Sequence, residues 1–291
     1  MTSGIVNLDD YMDSYYGAGA WTGRTGIGTG SDIGPALINA LNAIRSSTGR
    51  GKVIFAPRTY LMNTAPTADQ YSGIQLEGCG SQASKVVWNS NTGCPFSYSG
   101  NGGYTGGGIK GIGLLLEDGY PSSMANGITL QGNATYQPDQ MEFSDIYMSA
   151  IGSSYWYNGF FAYGNARTSP QGIRVCNIAN LQVFKCRNTG IYISNAVQWT
   201  VSNVGVYVGS ASGNNFYLGG GGTPLTNSVQ AYIYGLACSG DLNLTNCTKF
   251  NISGSTNTVS CATSADYGDV SVVRGGALNG SFGPNTRLNW T

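Results

Sequence analysis

The stretch Ile178-Ala179-Asn180-Leu181-Gln182-Val183 decides how this chain is read. It returns 23 residues later as Val201-Ser202-Asn203-Val204-Gly205-Val206. Both obey one pattern: apolar, small or polar, Asn, apolar, any residue, apolar. Looking back, the pattern stands as Phe143-Ser144-Asp145-Ile146-Tyr147-Met148 and Ile109-Lys110-Gly111-Ile112-Gly113-Leu114. A weaker echo, Leu244-Thr245-Asn246-Cys247, lies ahead. A second half-pattern accompanies the first: Asn126-Gly127-Ile128-Thr129-Leu130, Asn158-Gly159-Phe160-Phe161, Gly190-Ile191-Tyr192-Ile193 and Asn215-Phe216-Tyr217-Leu218. Self-similarity at a period of about 20–50 residues marks a stacked repeat architecture. Helix signal inside the unit is slight, so each repeat is a coil of short strands resting on the next. The fold class is all-β.

Spacing says where the coils differ. The hexapeptides at Ile109, Phe143 and Ile178 begin 34 and 35 residues apart, against 23 from Ile178 to Val201. The surplus belongs in loops on one side of the solenoid, and inserted loops commonly build a binding face.

Composition supports many short strands joined by tight turns. Gly is 45 of 291 residues, Tyr is 19 and charged residues are only 10%. The formal net charge is zero and there is no Lys/Arg run, so no nucleic-acid footprint is present. Seven cysteines without CxxC spacing, and no His, argue against a zinc site. Neither metal nor cofactor is expected. The cysteines read as small thiols buried in coil interiors. Met1–Asp10 has no basic or apolar leader character, and no 18-residue apolar run exists. Neither a signal peptide nor membrane insertion is expected, and the composition fits synthesis in a reducing cytoplasm.

Residues 1–30 carry Tyr11, Tyr15, Tyr16, Trp21 and three acids, then a Gly-rich run. They read as a loop or attachment arm that docks on a partner. Residues 31–291 read as one coil stack, opened by a helix over 32–48. Ser31-Asp32 starts that helix and Pro35 sits in its first turn. Leu37, Ile38, Leu41 and Ile44 make an amphipathic stripe, and Gly49-Arg50-Gly51 ends it. A stack of coils exposes unpaired strand edges at its end. The helix is expected to cover that end.

The run from Tyr16-Gly17-Ala18 through Ser31-Asp32 and Pro35-Ala36-Leu37-Ile38 to Gly51-Lys52-Val53-Ile54-Phe55-Ala56-Pro57-Arg58-Thr59-Tyr60 resembles the opening of the pectate-lyase-like superfamily. The resemblance implies a right-handed, single-stranded parallel β-helix with an N-terminal capping α-helix. Many members are bacteriophage tailspikes; others are polysaccharide lyases and hydrolases. It further implies a virion spike made in the host cytoplasm, a homotrimer with β-helices side by side, and bacterial surface polysaccharide as ligand. The compact chain then points to residues 1–30 as the part that meets a virion protein. The motif marks the cap of a fold and not a chemistry.

Glycan hydrolysis needs two carboxylates, one with a raised pKa. Three of the 14 acids are Glu, and none stands between Asp145 and Asp241. A carboxylate pair on the middle coils is thereby excluded. The candidates are Glu117, Glu142 and Asp145. A spacing of 25 residues would set Glu117 and Glu142 on neighbouring coils. Solvated loop charge explains these residues as well, and Asp145 stands in the Asn position of the hexapeptide, where a turn residue belongs. Without His there is no Ser/His/Asp triad. Aromatic residues are the better signal, since flat rings stack on sugars and serve half-wet interfaces. Tyr104, Tyr120, Tyr155, Trp156 and Tyr157 are the candidate glycan contacts; packing on the coil exterior or between subunits is the competing explanation. The recurrent Asn residues read as turn ladders. Three functions follow: a spike that binds glycan without cleaving it, a depolymerase using early-coil carboxylates, or a cellular polysaccharide lyase.

Overall fold

The computed structural model describes residues 4–99, 106–132, 138–164, 173–207, 214–219, 229–238, 241–245, 247–255, 258–272, 277–282 and 287–290. Successive strands pair in parallel and build a right-handed β-helix whose coils carry three strand stacks, here faces A, B and C. On face A, Val53, Leu76, Ile109, Phe143, Ile178, Val201 and Ile233 stand in register one above another. On face B the inward column is Tyr60, Val86, Leu114, Met148, Val183 and Val206. On face C it is Phe96, Ile128, Phe160, Ile191, Phe216 and Leu242. All are buried. Burial of each such side chain contributes roughly 1.5–3 kcal/mol. Their rings interlock edge to face, with Phe143 5.1 Å from Phe160 and Phe160 6.4 Å from Trp199.

The hexapeptide is the corner between faces A and B. Strands Glu142–Ala150, Asn177–Phe184 and Trp199–Tyr207 run through that corner without a break. Asp145, Asn180 and Asn203 turn it at φ of 50°, 53° and 50°. Asn and Asp reach this left-handed region at least cost among residues with a side chain. Asn203 then donates its amide to Asn180 Oδ1 at 2.7 Å. A second left-handed column enters face A at Gln140, Val175 and Gln198, with φ of 55°, 49° and 59°. No residue type announces that column.

The surplus of the long coils lies mainly where face C returns to face A, between Gln131 and Glu142 and between Tyr163 and Asn177. In the first of these coils a second excursion, residues 117–125, joins face B to face C. Two corners therefore carry the insertions, where one side was expected.

Residues 5–16 form a strand and a helix where the composition suggested a loop or attachment arm. Strand β1 (Ile5–Asn7) pairs with Gly51–Ile54 as the first rung of face A. Helix α1 (Leu8–Tyr16) buries Leu8 and Met12. Apolar spacing, not overall composition, governs those residues. Helix α2 (Ile33–Ser47) is capped by Asp32, whose carboxylate accepts from Gly34 N at 2.9 Å. Its buried face is Ile33, Ala36, Leu37, Ala40, Leu41 and Ile44, which packs on the first coil. Ile38 falls at the edge of that face. Near the chain end stand strands Ala277–Phe282 and Arg287–Trp290. Cys176 and Cys186 are buried free thiols, as expected, and burial pushes the Cys94 thiol up to about 12. Cys79, by contrast, is exposed.

Candidate functional site

The outer side of face C carries a groove of about 560 Å³. Its lining follows from the second half-pattern. Outward positions one coil apart hold Phe161, Tyr192 and Tyr217, paired in register. Phe161 and Tyr192 stack with centroids 4.9 Å apart, and Tyr192 and Tyr217 at 4.5 Å with planes only 5° apart. Rings stacked so tightly cover one another's faces and turn their edges to the groove. Beside them runs an amide ladder: Asn188 donates to Asn158 Oδ1, and Asn158 to Asn126 Oδ1, each at 2.9 Å. Tyr157 and Met124 complete the groove with Thr189. Arg187 stands over the Tyr157 ring at 5.6 Å and donates to Met124 Sδ at 3.3 Å. Burial, followed by the neighbouring Tyr217, raises the Tyr192 phenol, which stays protonated at neutral pH.

Neither Asp nor Glu lines the groove. The described residues therefore supply it with hydrogen-bond donors, acceptors and ring edges, and with no carboxylate pair for acid and base. Among the described residues no cluster of ligating side chains could hold a metal.

The carboxylates singled out from sequence sit elsewhere and apart. Glu117 is fully buried. Arg24 grips it with Nε at 2.6 Å and Nη2 at 2.7 Å, while the Asp118 and Gly28 N–H groups donate at 3.0 and 3.2 Å. Burial by itself raises its carboxyl; the Arg24 bond and the two backbone donors outweigh that and hold it below its ordinary value. A general acid requires the opposite shift. Glu142 is exposed and pairs in register with Gly108, at the start of face A. Glu117 follows Leu116, whose partner is Ala150, at the far end of face B. The two thus occupy different corners, because excursions make the residue count a poor guide to coil position. Asp145 is a corner residue that accepts from Ser81 Oγ at 3.1 Å.

The aromatic candidates divide. Tyr157 lines the groove. Trp156 is wholly buried, its indole N–H donating to Ser149 O at 2.7 Å, so it is core. Strand alternation sends it inward when Tyr157 faces out. Tyr120 is half-buried and spends its hydroxyl on Asn89 Oδ1 at 3.1 Å. Tyr155 is half-buried in the turn before Trp156. Tyr104 lies outside the described residues. Tyr192, Tyr217 and the Asn126–Asn158 pair also line the groove, and their shared place in the half-pattern is the sequence signal for them.

No family model matches the sequence, and no curated protein matches it. Solved structures do. The A-module of mannuronan C-5 epimerase AlgE4 from Azotobacter vinelandii is 12% identical, with TM-score 0.54 over 97% of this chain and 99% of that one. The A-module of AlgE6 from the same organism is 12% identical, with TM-score 0.51 over 98% and 99%. ORF18 of Geobacillus virus E2 is 15% identical, with TM-score 0.44 over 98% of this chain and 59% of that one. At such identities the likeness to the two A-modules establishes the fold alone, a parallel β-helix.

Proposed function

We propose that this protein binds a polysaccharide in the face C groove and leaves it intact. The observation that carries the proposal is the lining itself: tyrosines, a phenylalanine and an amide ladder, with no acid among them. Tyr edges and Asn amides suit a ligand rich in hydroxyls. The resemblance of residues 16–60 to the opening of tailspike β-helices motivates the finer part of the proposal. In it the chain is a virion spike, assembled as a homotrimer, that meets bacterial surface polysaccharide during adsorption. Residues 1–30 are then the region that faces a virion partner.

Incubation with capsular and O-antigen polysaccharides, followed by sizing, tests this reading. Retention of full-length chains is expected, with loss of binding in Tyr157→Ala and Tyr192→Ala. Shortened chains would make the protein a depolymerase and overturn the non-catalytic part. Undiminished binding by both variants would remove the groove from consideration.

A further inference from the structure

Loops lack the ladder that fixes strands, so their order must come from side chains. Two such turns flank the groove: residues 117–125 and residues 151–155, the second leading directly into Trp156 and Tyr157. A chain of contacts runs through them across successive coils. Its first member is the N-terminal segment around Arg24–Gly28, which holds Glu117 by three hydrogen bonds while Asp118 N donates a fourth, none longer than 3.2 Å. Next, Asp118 Oδ1 accepts from Ser153 N at 3.0 Å, and Tyr120 N donates to Ser154 Oγ at 2.7 Å. Lys185 Nζ donates to Gly152 O at 2.6 Å, one coil further. Two residues on, Arg187 lies over the Tyr157 ring.

We propose that Arg24, Glu117 and Asp118 are positioning residues that hold Tyr157 and Arg187 in place at the groove, through this spine. The N-terminal segment thereby sets the order of a surface it never touches. Coupling of this kind travels through contiguous packed and hydrogen-bonded groups. The functional meaning rests on the groove reading above; the coupling itself does not.

Amide hydrogen exchange without any glycan is the test. In Arg24→Gln, exchange is expected to quicken in residues 22–30, 117–120 and 152–157, while residues 200–206 keep the wild-type rate. Asp118 is only half-buried and forms no ion pair with Arg24, so Asp118→Ala is expected to fold even if Arg24→Gln does not. It cuts the middle link. It should quicken 152–157 about tenfold, the scale of a lost hydrogen bond to a charged group, and leave 22–30 unchanged. Exchange confined to 22–30 and 117–118 in Arg24→Gln, or an unchanged 152–157 in Asp118→Ala, would overturn the spine. Because no ligand is used, failure here leaves the groove reading standing, and failure to find a glycan leaves the exchange result standing.

Discussion

The N-terminal end and the middle coils solve the same problem with different chemistry. At the N-terminal end each contact is made once. Asp9 pairs with Arg58 at 3.0 Å and accepts from the Tyr60 hydroxyl at 2.8 Å. Trp21 donates to Asp13 at 2.7 Å, with the Arg58 guanidinium 4.9 Å from its ring. Ion pairs Arg24–Glu117, Lys52–Glu77 and Arg58–Asp9 all fall at or before residue 117. The middle coils contain no acid from Ile146 to Gly240. They repeat a few contacts instead: Asn on Asn, ring on ring, apolar column on column. An interior coil always meets a copy of its own pattern, so a ladder suffices. A terminal coil meets α1, α2 and a loop, and needs partners that match only once.

The contrast breaks most directly at Phe160, which joins faces A and C through Phe143 and Trp199. Phe160→Ala should cost about 3–5 kcal/mol in urea denaturation, with the loss felt in the middle coils. Glu117→Ala leaves the mostly buried Arg24 guanidinium without its carboxylate, and about 3 kcal/mol is expected. Here the N-terminal end should melt first, so Trp21 fluorescence should change before the rest of the chain unfolds.

Acid sharpens the comparison without mutation. The Lys52 bond lowers the Glu77 carboxyl, the Ser153 N–H lowers Asp118, and Glu117 is lowered as described. Groups depressed on folding stabilise fully above their unfolded values, near about 4.3, and lose that contribution as pH falls through the folded values. Melts at pH 3 against pH 7 should weaken the Trp21 region and spare the middle coils, which lack acids. An equal shift in both would erase the distinction. The smaller effects lie at the corners. Asn203→Ala should cost about 1–2 kcal/mol, from the left-handed φ and the lost amide bond. Val175 is β-branched at φ 49° and exposed, so Val175→Gly should gain about 1 kcal/mol in the same assay.

What could be read in advance followed the ladder. Asn180 and Asn203 betrayed the corner because few residue types tolerate its backbone. The inward columns showed because strand alternation is local. Gln140, Val175 and Gln198 turn an equivalent corner invisibly, since their conformation is imposed by neighbouring coils. Glu117 looked available for chemistry because its partner Arg24 is 93 residues away in sequence. Trp156 looked like a surface ring because it sits in an aromatic cluster, yet alternation turns it inward. The groove was half legible: Tyr157 stands in an obvious aromatic cluster, while Tyr192 and Tyr217 look like ordinary repeat residues until alternation turns them outward.

The coil from Ile178 to Val201 makes its circuit in 23 residues with no excursion. Phe143, Ile178 and Val201 are successive members of one column. Excising that circuit would bring Val201 onto Phe143, Asn203 onto Asp145 and Tyr217 onto Phe161; the last two repeat pairings the fold already contains, and the first sets a slightly smaller apolar side chain where Ile178 stood. The molecule is therefore graduated like a measuring rod. Its lineage can lengthen or shorten it by whole circuits, and the span between the N-terminal end and the far end can change while the cross-section stays the same.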